Sequence, residues 1–203
     1  MSTINIAPGA FALPPEPMRR FTVNEYHRMI HAGILTEDDP VELLEGWIVA
    51  KMPRNPAHDT AVALVQAALS AILPPQWICR GQSAVTTSDS EPEPDVAVVR
   101  GPIRRYATTH PGPADTGMVV EVADSSLARD RTLKARLYAR AAVAVYWIVN
   151  IPDRQIEVYM DPTGSDAAEP SYQQRRDFAA DAAVPLVLEG RTIATIPVAE
   201  LLP

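Results

Sequence analysis

Lysine is almost missing from this sequence. Of its 18 basic residues only Lys51 and Lys134 are lysines, and the rest are arginines. Cysteine is scarcer still. Cys79 alone excludes an intramolecular disulfide and any cysteine-rich zinc site, and behind Trp77 and Ile78 it reads as a buried structural thiol. No apolar run approaches the length of a membrane span, and the opening MSTINIAPGAFALPPEP lacks the basic-then-apolar order of a signal peptide. These absences predict a soluble, cytoplasmic protein with no membrane partner. A surplus of positive charge is missing too: the net charge of −7 argues against indiscriminate binding to nucleic acid or anionic lipid. No recognisable helix-turn-helix or zinc module supplies sequence specificity.

What is present suffices for one domain with a substantial core, 203 residues of which 47 % are apolar. The charge is unevenly spread. Residues 96–140 hold eight bases, Arg104, Arg105 and Arg131 among them, against four acids, so this is the one broad basic region of an acidic chain. It hints at a polyanionic ligand.

Residues 1–18, rich in proline and small side chains, read as a loose N-terminal arm, with a single domain over 19–203. Thr22 and Glu25 have the spacing of a capping box, with Phe21 placed as a staple, and predict a helix to about His31, stopped by Gly33. VELLEGWIVAKM folds back at Glu45-Gly46 as a hairpin. Asn55-Pro56 opens a helix with an apolar stripe of Val62, Val65, Leu69 and Ile72, ended by Pro74-Pro75. Strands are predicted over 77–85, 95–99 and 118–123, the last two separated by a loop of about fifteen residues, long enough to suspect function. Ser125 or Ser126 can cap a helix through about Ala141. A hairpin then joins 145–149 to 156–159 across Pro152-Asp153, and the C-terminal third adds edge strands. The fold class is therefore α/β, a mixed sheet with helices packed on it.

The stretch GMVVEVADSS carries one carboxylate, Glu121, inside a run apolar enough to be buried on both faces. Such a charge is costly unless a cation or strong donors meet it. In EPEPDVAVV, strand alternation puts Asp95, Ala97 and Val99 on one face; in MVVEVA it puts Val119, Glu121 and Ala123 together. If the two strands are neighbours, Asp95 and Glu121 sit side by side, and two adjacent carboxylates need a shared proton or a shared cation. Magnesium suits the second option, taking one or two protein carboxylates and leaving its other positions to water and phosphate. The competing readings are plain: Asp95 as a turn residue after Pro94, and Glu121 in a structural salt bridge with a nearby arginine. Lys134 divides in the same way. It is either an exposed partner of Asp130 one turn back, or a point charge kept to position or deprotonate a water. On a helix beginning near Leu127 it falls at the margin of the buried stripe, which predicts an amine reaching the cavity of Asp95 and Glu121.

Asp95 after Pro94, Glu121 in a hydrophobic strand and a following lysine resemble the PD-(D/E)XK nuclease superfamily. More narrowly, the chain is similar to the Uma-two-type restriction-endonuclease family. FTVNEYHRM, VELLEGWIVAKMPRNPAH, PDVAVV, VVEVADSS and DRTLKARLYARAAVAVYWIVN match its blocks in order, over roughly residues 21–150. The resemblance implies a restriction-endonuclease-like mixed β-sheet flanked by helices, with an added N-terminal helix and hairpin and C-terminal edge strands. It implies a phosphodiesterase site using Mg2+ or Mn2+, with Asp95 and Glu121 as metal ligands, Glu42 as a third acid and His58 at the site's edge. Nucleic acid, DNA first, is the implied partner, with His58, Arg104, Arg105 and Arg131 as candidate substrate contacts and a homodimer as the expected assembly. One position departs from the superfamily pattern: Ala123 stands where its lysine would be, two residues after the strand acid, and Lys134 lies on the following helix instead. Two other functions stay open: an inactive nucleic-acid-binding or assembly module of the same fold, and a scaffold that dimerises through a Trp147–Tyr159 hairpin surface.

Overall fold

The computed structural model describes residues 17–36 and 38–203, so the expected N-terminal arm falls outside the described residues except for its last two. Helix α1 (Val23–His31) starts as its capping box dictates: Thr22 Oγ1 accepts from the Glu25 N–H at 3.2 Å, and Glu25 Oε2 accepts from the Thr22 N–H at 3.0 Å. Strands β1 (Val41–Leu44) and β2 (Trp47–Ala50) form the hairpin, turning at Glu45 and Gly46 with φ of 50° and 80°, the pair of positive values that a two-residue hairpin turn requires. Helix α2 (Pro56–Ile72) is capped by Asn55, which accepts from the His58 N–H at 3.0 Å, with Pro56 in the first turn where no N–H is needed.

Six strands then build the central sheet: β3 (Trp77–Gly81), β4 (Val96–Arg100), β5 (Thr116–Ala123), β6 (Val145–Asn150), β7 (Gln155–Pro162) and β8 (Tyr172–Ala179), side by side in that order. All neighbours are antiparallel except β5 and β6, which run parallel and are joined by a helical crossover. Gly117 lies against Trp77, where an added Cβ would come within 2.7 Å of the indole.

Alternation sorts the sheet into two buried faces. Val96, Val98, Val120, Val122, Trp147 and Val149 point to one, covered by α2 and by a ribbon of β9 (Ala183–Leu188) and β10 (Arg191–Pro197). Ala97, Val99, Val119, Ala123, Tyr146 and Ile148 point to the other, covered by the crossover helix and the end of β1. Two expectations change here. Of the C-terminal strands only β8 joins the sheet edge; β9 and β10 pair with each other and lie over a face. And because that ribbon covers it, Trp147 is 0 % exposed and Tyr159 is buried on the other face, so no dimerising surface of these two aromatics exists.

The crossover is not the regular helix that was expected. It runs as α3 (Leu127–Arg129), a π-helical turn over Asp130–Lys134, and α4 (Ala135–Arg140). The Ala135 N–H reaches back five residues to the Asp130 carbonyl, which also accepts from the Tyr146 hydroxyl at 3.1 Å. Such turns hold one residue more than an α-turn and so re-aim side chains. Ser126 precedes the run but caps nothing; its hydroxyl donates to the Asp130 carboxylate instead. Among the described residues no helix is long and apolar enough to cross a membrane.

A second buried acid lies on the helix-covered face. Glu157 of β7 is 0 % exposed and accepts from Arg131, Asn150 and Tyr159, with Arg175 3.2 Å away. Burial alone would raise its pKa, but these donors, Arg131 foremost, bring it down to about 2. Its contribution to stability is thus complete above the ordinary carboxyl pKa and disappears as pH falls from about 4.5 through about 2. Glu157→Gln should therefore cost about 2 kcal/mol in urea unfolding at pH 7, and the gap between variant and wild type should narrow steadily as the titration is repeated toward pH 3.

Candidate active site

The register of β4 against β5 pairs Ala97 with Val119 and Val96 with Val120, so the residue before Val96 falls opposite Glu121. Asp95 holds that place. Its Oδ2 accepts from the Val122 N–H at 2.8 Å, which ties the carboxylate to the strand that carries Glu121. Both acids line one cleft at the end of β5, bordered by the β2–α2 connection and by the start of the crossover helix.

Lys134 enters this cleft from the helix side. It is 2 % exposed, its Nζ lying 2.8 Å from Glu42 Oε2 and 3.2 Å from Glu121 Oε1. Glu42, also 2 % exposed, reaches in from β1 and accepts in addition from the Glu93 N–H at 3.2 Å. Tyr138, one turn after Lys134, donates to Glu121 Oε1 at 2.6 Å. Lysine and tyrosine therefore occupy the same oxygen. Among the described residues Glu121 Oε2 makes no hydrogen bond, and neither does Asp95 Oδ1. Each acid is held by one oxygen and leaves the other for the cleft.

The electrostatics follow from burial. It pushes the Glu121 carboxyl up to about 8, with Lys134 pulling back and Asp95, Asp130 and Glu42 pushing further. For Lys134 burial acts downward, but the carboxylates of Glu121 and Glu42 outweigh it and hold the amine above its ordinary range. The two acids thus favour the ammonium form of Lys134. Asp130, buried beside them, is pushed by burial to about 6 against the Ser126 hydroxyl and the charges of Lys134 and Arg129. His58 Nε2 lies 3.3 Å from Asp95 Oδ2, and that contact raises the imidazole pKa against burial.

Of the residues singled out from sequence, the fold brings Asp95, Glu121, Glu42, Lys134 and His58 to one cleft. The three arginines lie elsewhere. Arg131 is committed to Glu157, Arg105 pairs with Asp115 at 2.8 Å, and Arg104 stands exposed on the same short turn, Ile103–Tyr106. Besides Lys134, the arginines and lysines that line the cleft are Lys51, Arg54 and Arg129, of which only Arg129 falls in the basic region. Asp130 and Tyr138 were also missed as site residues. The signal for both was their distance of four from Lys134, which places all three on one side of the helix.

The side chains fit a hard divalent cation. Two carboxylates from adjacent strands line the cleft, each with one oxygen that accepts no hydrogen bond among the described residues, and carboxylate oxygen is the donor type magnesium and manganese take. Among the described residues no three His, Cys, Asp or Glu side chains converge as a closed metal site, because Glu42 is turned to Lys134 and His58 to Asp95.

The family model Uma2, described as "Putative restriction endonuclease", matches residues 23–197. The chain belongs to this family. A solved structure, a "putative nuclease belonging to DUF820" from Anabaena variabilis ATCC 29413, is similar to this Uma2 chain in fold. It has a TM-score of 0.64 at 16 % identity and covers 89 % of this chain and 97 % of that one. No curated protein matches the chain.

Two outcomes follow for this Uma2 site. A carboxyl whose folded pKa is raised stabilises fully below its unfolded value and loses that contribution as pH rises, here between about 4.5 and about 8. Metal-free Glu121→Gln should accordingly melt no lower than wild type at pH 8, and added manganese should raise the melting temperature of wild type only. Tyr138→Phe removes one hydroxyl and leaves the ring in place; isothermal titration should show manganese binding weakened by about tenfold to a hundredfold, with an unchanged far-ultraviolet spectrum.

Proposed function

We propose that this chain is a magnesium- or manganese-dependent nuclease that hydrolyses phosphodiester bonds, acting on DNA in the cytoplasm. The observation that carries the reading is Lys134: a buried ammonium held between Glu42 and Glu121, beside a second strand acid with a free oxygen. A merely structural ion pair would have no use for the second acid, nor for Tyr138 and Lys134 sharing one oxygen of Glu121. Family membership supports the same class of chemistry.

In this mechanism Asp95 and Glu121 would hold the cation, which would supply acidification of a water and withdrawal of charge from the phosphoryl group. The protein does the positioning. The Val122 N–H and His58 fix the Asp95 carboxylate, while Tyr138 and Lys134 fix that of Glu121. Glu42 balances Lys134, so the ammonium stays charged in a buried place and can stabilise negative charge that builds up on the phosphate. With Lys134 favoured as its ammonium, the attacking water's proton goes to solvent or to substrate.

Incubation of supercoiled plasmid and single-stranded DNA with magnesium or manganese tests the reading. Wild type should cleave, and Asp95→Asn should be slower by about a hundredfold or more. Lys134→Arg should lose activity similarly, since the enclosed site does not accommodate a guanidinium in the ammonium's place. Equal rates in all three proteins would remove Asp95 and Lys134 from the chemistry.

A further inference from the structure

The acids and Lys134 account for the reacting centre, but not for what holds a polyanion against a cleft lined by so many carboxylates. Four bases line that cleft, and three are spoken for or free in solvent. Lys134 is enclosed by Glu42 and Glu121, Lys51 is paired with Glu93 at 2.7 Å, and Arg54 is exposed. The fourth, Arg129, differs. Its Nε is buried and, among the described residues, has no hydrogen-bond partner. Its nearest carboxylate oxygen, Glu42 Oε1, is 4.0 Å from its terminal nitrogen, too far for a hydrogen bond. Arg80 Nη1 and Trp147 Nε1 are likewise buried without a partner, but neither lines the cleft. The Arg129 side chain is 27 % exposed there, so its terminal nitrogens, which meet no acceptor within hydrogen-bond distance among the described residues, are open to a ligand.

We propose that Arg129 binds a backbone phosphate of the nucleic-acid strand, using its two terminal nitrogens as a two-pronged donor. Guanidinium presents those two N–H groups in one plane, matched to two oxygens of a phosphodiester, and arginine is the residue suited to that recognition. Its position strengthens the case. Arg129 is the last residue before the π-helical turn that carries Asp130 and Lys134 inward, so a phosphate on Arg129 lies one residue from the helix segment that supplies the ammonium. Arg129 contacts substrate in this account, Lys134 stabilises charge at the reacting group, and Arg131, one turn-face away, serves Glu157 and the fold.

The inference rests on the nuclease reading for its substrate but is tested by binding. A fluorescein-labelled single-stranded oligonucleotide is titrated with protein by anisotropy, with calcium in place of magnesium, over a series of potassium chloride concentrations. Arg129→Gln should bind about tenfold to a hundredfold more weakly at low salt, and the slope of log affinity against log salt should fall by about 0.7, the share of one phosphate on a single strand. Arg129→Lys should keep the slope and lose affinity, since the charge remains while the fork does not. Arg154→Gln, on the β6–β7 turn, removes the same charge outside the cleft and should leave both unchanged. An Arg129→Gln slope and affinity equal to wild type would overturn the proposal, as would a wild type that binds no oligonucleotide. If Arg129→Gln loses binding as stated while wild type cleaves nothing, the phosphate site stands and the nuclease reading falls.

Discussion

The contact on which this structure turns is one ammonium between two carboxylates. Lys134 joins the crossover helix to the N-terminal hairpin through Glu42 and to the central strand through Glu121, so three elements distant in sequence meet on a single charge. Enclosing it removes water from all three groups, so each needs a partner. Any one alone would be an uncompensated charge in an apolar wall. That dependence explains why the surrounding features are arranged as they are. The π-helical turn brings Lys134 and Asp130 inward, the Tyr146 hydroxyl anchors that turn to the sheet, and Tyr138 shares Glu121 Oε1 so that Oε2 remains for the cleft.

The same sheet face shows how differently two buried acids are treated. Glu121 on β5 and Glu157 on β7 flank Ile148 of β6 in one row across the sheet. Glu157 is saturated with donors and has a pKa near 2, which marks it as a structural anion that pins β7, β8 and the start of the crossover together. Glu121 is under-supplied, with a carboxyl pushed to about 8 by burial and neighbouring acids. The contrast sets the two apart: among the described residues Glu157 has both oxygens taken by donors, whereas Glu121 accepts through Oε1 alone.

Strand alternation carried the sequence reading a long way. It put Asp95 and Glu121 on one face, and the register between β4 and β5 sets them opposite each other, since a slip of one residue would send them to opposite faces. The capping box at Thr22, the Asn55-Pro56 start and the Glu45-Gly46 turn were equally local and equally readable. What escaped depended on partners far away in the chain. Arg131 looks like a substrate contact until Glu157, 26 residues on, is seen to take it. Trp147 looks like an available aromatic until a ribbon some forty residues later is laid over it. The π-helical turn has no signature in DRTLK; it coincides with contacts made far away in the chain, Lys134 and Tyr138 to Glu121 and the Tyr146 hydroxyl to the Asp130 carbonyl.

The central claim is that Asp95 and Glu121 share a divalent cation, and a crystal structure grown with manganese tests it most directly through the metal's anomalous scattering. The account predicts one strong peak between Asp95 Oδ1 and Glu121 Oε2, at ligand distances of about 2.0–2.2 Å, with Lys134 still on Glu42. A peak elsewhere, or a cleft in which Lys134 and Glu121 remain paired and no manganese binds at saturating concentration, would contradict it.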